Sequence, residues 1–178
     1  MPLPGARPRS GASLRRRTET PKCRALAAVK ERMACDLIST QGAVFAVWGT
    51  PEIADMDRVL TEVEAAAKSC GHPVVYVTRV PVNAPAPDAQ VRAHLERMMP
   101  QLLSACSTYH VVLEGEGFGA AMKRGILTST FQLTWRRKTF FVHAKVTEVA
   151  SSVPLDRRPA VARLLDAAQR RGLLGNAR

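Results

Sequence analysis

Two β-prone runs only three positions apart, residues 35–39 and 43–48, are followed by three more β-prone runs, and an amphipathic segment of helical length precedes each of these. Strands joined by a tight turn pair antiparallel, whereas strands joined through a helix lie parallel. The spacing therefore predicts an α/β fold of about five strands: a β-hairpin start, then alternating helices and mainly parallel strands with right-handed crossovers, and an extra C-terminal helix.

Local signals support each element. Thr40, Gln41 and Gly42 suit a hairpin turn. Thr50, Pro51 and Glu52 offer an N-cap hydroxyl, a proline for the first helical position and a first-turn carboxylate, and Gly71 a left-handed stop. Between them Ile53, Met56, Val59, Leu60, Val63, Ala66, Ala67 and Cys70 keep to one helical face. Residues 73–78 form a β-branched run for a central strand. Pro81, Pro85 and Pro87 then enforce a stiff loop, and Asp88 caps the next helix, whose stripe is Val91, Leu95, Met98, Leu102 and Cys106 and whose axis Pro100 is expected to kink.

A strand over 109–114, a loop with Gly115, Gly117 and Gly119, and a helix over 118–135 follow, with Met122, Ile126, Leu127, Phe131 and Leu133 as the helix's apolar members. Arg136, Arg137 and Lys138 sit where cations oppose a helix dipole. The last elements are a strand over 140–144, a short helix from Thr147 stopped by Pro154, and a helix over 156–171 with Val161, Leu164, Leu165 and Ala168 inward.

Charge divides the chain. Residues 1–32 carry +7 of the formal +11, leaving +4 over 33–178, a modest value that requires no polyanionic partner. The tail is rich in Pro, Gly, Arg and Ser and is expected to be disordered. Pro2, Pro4 and Pro8 argue against the amphipathic helix of a transit peptide, and Met33 is an alternative translation start. The three expected segments are thus a basic tail over 1–32, an α/β domain over 33–153 and a helical extension over 154–178.

Cys23, Cys35, Cys70 and Cys106 lie at least twelve positions apart and pair with no His at zinc-finger spacing, which speaks for free thiols in a reducing, cytoplasmic setting and against a metal site. No apolar run approaches the roughly 20 residues that span a bilayer.

The order of elements, with Gly49, Thr50, Pro51 and Glu52 leading into the first helix, resembles over about residues 35–152 the STAS domain, the module of sulfate-transporter tails and anti-sigma-factor antagonists. That resemblance implies a non-catalytic regulatory module that binds other proteins. The antagonists carry a phosphorylatable serine between the third strand and second helix, but residues 79–99 contain no Ser or Thr. Asp88 is either a plain N-cap or a constant negative charge in place of that switch.

The glycine loop has neither the Gly-x-Gly-x-x-Gly spacing of a dinucleotide fingerprint nor the Gly-Lys-Ser/Thr ending of a phosphate loop. Glu114 and Glu116 would repel an anion unless Lys123 and Arg124 fold back over it. His110 and His143 fall on strands that could be neighbours, where with Glu114 they could form an acid-base or metal cluster, or simply be satisfied sheet histidines. No Ser, Cys or Thr nucleophile has a base and an orienting acid around it.

The expectation is thus a protein-interaction module without enzymatic activity, cofactor or metal. It acts through Asp88, Glu114, Gly115, Glu116, Gly117, Phe118, Gly119, Lys123 and Arg124 at one end of the sheet, with a small-molecule or anion binder as the alternative and nucleic acid reached only through the basic tail.

Overall fold

Gly42 has φ +86°, in the left-handed region that a tight hairpin turn requires, and it joins β1 (Asp36–Thr40) to β2 (Ala43–Val47) as an antiparallel pair. The computed structural model describes residues 35–81, 83–135 and 139–174, with backbone only over 130–135. The chain divides into two units, Met1–Arg32 and Met33–Arg178, and all described residues belong to the second. The basic tail and Arg136, Arg137 and Lys138 lie outside the described residues, as do the side chains of Phe131, Leu133 and Trp135.

Helix α1 (Ile53–Cys70) starts after Glu52, so Thr50 and Pro51 precede the helix and do not cap it. Gly71, at φ +70°, ends it as expected. Strand β3 (Val74–Val80) is the middle strand of five and is followed by the proline loop. Helix α2 (Ala89–Ala105) runs through Pro100, whose ring is exposed. Strand β4 (Cys106–Leu113) begins at once, so Cys106 opens a strand instead of closing a helix. Its β-branched and aromatic neighbours Thr108, Tyr109, Val111 and Val112 favour the extended state three residues earlier than periodicity suggests.

Helix α3 (Gly117–Trp135) and β5 (Phe140–His143) complete the alternation. A 3-10 turn (Val146–Glu148), α4 (Val149–Ser152), a second 3-10 turn (Leu155–Arg157) and α5 (Arg158–Arg170) follow.

The sheet has the order β1-β2-β3-β4-β5, with every pair after the first parallel. Strand order thus follows chain order, so right-handed crossovers put their helices on one face. On that face Val44, Ala46, Val74, Tyr76, Tyr109 and Val111 meet Met56, Val59 and Val63 of α1 and Met98, Met99 and Leu102 of α2. On the other, Ile38, Phe45, Val75 and Val77 meet Val161, Leu164 and Ala168 of α5 and Val149 and Val153 of the segment before it. The C-terminal helix is therefore one layer of the core.

Helix α3 is the exception. None of its described side chains, over residues 117–129, is fully buried, whereas α1 and α2 each bury several. Its glycines at 117, 119 and 125 and its β-branched residues give it poor intrinsic helix propensity, and its described apolar side chains form no buried stripe against the sheet. Met122 and Ile126, two of its apolar members, are 52% and 59% exposed, and Phe118 is 85% exposed. Only Leu127 packs partly against the core cluster.

Candidate functional site

Because β3 and β4 are parallel neighbours, the loops that follow them leave the sheet side by side. The Glu114 amide donates to the Val80 carbonyl at 3.3 Å across their bases. The proline loop and the glycine loop therefore share one end of the molecule, the end where α/β proteins commonly bind ligands.

The glycine loop is a braced corner. Gly115 and Gly117 have φ of +125° and +84°, which a side chain would strain. Arg79 grips Glu114 with two parallel bonds, Nε to Oε1 at 2.7 Å and Nη2 to Oε2 at 2.9 Å. Arg124 does fold back, but its Nη1 donates to the carbonyls of Leu113 at 3.1 Å and Gly115 at 3.0 Å. Both guanidinium groups thus face protein acceptors. Glu116, Gly117, Phe118 and Gly119 lie exposed. Asp88 caps α2, its Oδ1 accepting from the Val91 amide at 2.8 Å.

Beside this corner is a crevice of about 420 Å³, within the range of roughly 300–1,000 Å³ typical of small-molecule sites. Helix α3 borders it without burying any of its described side chains fully. The crevice floor is Tyr76, Thr78 and Val80 of β3 and Tyr109, Val111 and Leu113 of β4, the alternate residues that face the helices. Trp48 and Met56 wall one side, and Leu95, Met98 and Leu102 of α2 another. Ala84, Pro85 and Pro87 of the proline loop form a further wall, and Lys123, Ile126 and Leu127 of α3 the rim.

Among the described residues the lining is largely apolar, and its buried polar groups are the hydroxyls of Tyr76, Tyr109 and Thr78. Thr78 is 2% exposed, and its Oγ1 makes no well-formed hydrogen bond among the described residues, its interaction being with the Tyr76 side chain. A buried hydroxyl without a well-formed bond costs up to about 3 kcal/mol. Of the residues chosen from sequence, only Lys123 lines this crevice. The signal that could have found it was the alternation of 76, 78 and 80 with 109, 111 and 113, a six-residue floor over which the described part of α3 forms no buried stripe.

The histidine pair forms elsewhere. His110 Nδ1 lies 3.0 Å from His143 Nε2, and His110 Nε2 lies 3.0 Å from Thr108 Oγ1. Both rings are buried and stacked, on the face away from the crevice. Glu114 is not with them, because Arg79 holds it. Glu148 is the nearer carboxylate, its Oε2 3.9 Å from His143 Nδ1. Burial, with the neighbouring ring of His143, pushes the His110 pKa down to about 3, and burial also lowers that of His143.

Burial pushes the thiols of Cys35 and Cys106 up to about 12, which leaves them poor nucleophiles. Among the described residues no group of three His, Cys, Asp or Glu side chains could hold a metal ion, and no helix is long and apolar enough to cross a membrane.

Compared with protein-family models, with curated proteins and with solved structures, the chain matches none.

Proposed function

We propose that this chain is a non-catalytic, STAS-like binding module whose ligand is a small, largely apolar molecule taken into the crevice between the sheet, the proline loop and α3. The observation that carries the reading is the apolar crevice of about 420 Å³ at the loop end of the sheet. An apolar body gains from leaving water on entering such a crevice. The braced glycine loop favours this over anion binding, since Arg79 and Arg124 already face protein oxygens.

The test is uptake of a neutral, environment-sensitive dye, Nile red, by the full chain. Saturable one-to-one binding is expected, and it is lost in Ala84→Trp, which fills the crevice from the proline loop. Uptake unchanged by that substitution would remove the reading.

A second reading, docking of a partner protein at the same end, is favoured by the exposure of Phe118, Met122 and Ile126 on successive turns of α3. Phe118→Glu is its probe, because any side chain at Gly117 would strain the backbone at φ +84°. Protein capture indifferent to Phe118→Glu would discard this reading.

A further inference from the structure

Among the described residues the crevice has one charged residue in its lining, and it stands at the rim. Lys123 is exposed on α3 and faces the cavity with Ile126 and Leu127, three and four positions along the same helix. It makes no hydrogen bond or ion pair among the described residues. Arg124 beside it differs in this respect, being bonded to Leu113 and Gly115. The nearby carboxylate of Glu114 is held by Arg79. A cation with no bonded partner among the described residues therefore stands at the mouth of an apolar cavity.

We infer that the ligand is a lipophilic carboxylic acid. Its apolar body fills the crevice and its carboxylate pairs with the Lys123 ammonium at the rim. This rests on the crevice being a ligand site, and adds the ligand's charge and polarity. The orientation follows from solvation: a carboxylate buried among Tyr76, Val111 and Leu102 would lose its hydration, whereas at the rim it stays wet and gains a cation.

Size sets a scale. A crevice of about 420 Å³ lies toward the small end of the roughly 300–1,000 Å³ range of small-molecule sites, which suits a ligand of modest length. Dodecanoic acid, with twelve carbons and two oxygens, is the probe.

The experiment displaces Nile red from the full-length chain with dodecanoic acid and with 1-dodecanol, at low ionic strength and neutral pH. The dye is neutral, so its own binding does not depend on Lys123. The acid is expected to bind about five- to tenfold more tightly than the alcohol, a preference that shrinks as salt is added. Lys123→Met keeps the stem's length and removes the charge, and it is expected to bring acid and alcohol within about twofold of each other.

Equal binding of acid and alcohol by the unaltered chain would overturn the assignment of a carboxylate while leaving the crevice as an apolar site. An acid preference that survives in Lys123→Met would overturn the role of Lys123. If the dye does not bind, or Ala84→Trp binds it unchanged, the crevice reading fails and this inference fails with it.

Discussion

Arg79 and Glu114 clasp each other through two hydrogen bonds at 2.7 and 2.9 Å, tying the end of β3 to the corner where β4 turns into the glycine loop. The third arm of the guanidinium, Nη1, donates to the Leu173 carbonyl at 2.8 Å. One side chain thus fastens two strands and the segment after α5. Arg79→Met leaves Glu114 partly buried without its cation and is expected to cost about 2–3 kcal/mol, with urea unfolding as the measurement. A loss below about 0.5 kcal/mol would mean that the clasp contributes no more than an ordinary surface ion pair.

The buried histidines make stability depend on acidity. His110 titrates near 6.5 when unfolded but near 3 when folded, so between those values the unfolded chain binds the additional proton. Stability is therefore complete above about pH 6.5 and falls as pH drops toward 3, with a slope of up to about 1.4 kcal/mol per pH unit from this group. The lowered His143 acts in the same direction. Unfolding curves at pH 7, 5.5 and 4.5 are expected to show the decline, and His110→Asn to show a shallower one. An equal decline in the variant would assign the effect to other groups.

Asp88 separates capping from charge. Loss of its bond to the Val91 amide in Asp88→Ala is expected to cost about 1 kcal/mol, while Asp88→Asn retains a capping oxygen and loses little. Should the asparagine variant keep its stability but lose a binding function, the carboxylate itself would be part of the contact surface.

Thr78→Val removes a hydroxyl without a well-formed hydrogen bond at nearly constant volume. The variant is expected to be about 1 kcal/mol more stable than the parent in thermal unfolding, and to bind weaker any crevice ligand that bonds to the hydroxyl. A destabilised variant would show that Oγ1 is satisfied in solution.

Much of the scaffold was legible because it depends on local chemistry. Gly42 and Gly71 sit where the backbone turns left-handed, Asp88 caps its helix, and the alternation of β-branched runs with amphipathic segments determines a parallel sheet after one hairpin. The adjacency of His110 and His143 followed from strand order. Boundaries were less legible. Glu52 and not Thr50 precedes α1, because the turn signal at Thr50 and Pro51 comes before the helical dihedrals begin.

The crevice could not be read locally. Its rim is α3, none of whose described side chains is fully buried, and an apolar residue such as Met122 or Ile126 reads the same in sequence whether buried or exposed. The partners of Glu114 and Arg124 were equally hidden, since Arg79 is 35 positions from Glu114 and backbone carbonyls leave no mark in a sequence.

The order in which the sheet's two faces are covered has a consequence for biosynthesis. Helices α1 and α2 pack against strands on either side of them in sequence, so one face can close while the chain is still being made. The opposite face, with Ile38, Phe45, Val75 and Val77, waits for α5. Until residues 158–170 are in place, Ile38, Phe45, Val75 and Val77 lack the helix that completes their cover, and a chain cut short before α5 is expected to aggregate.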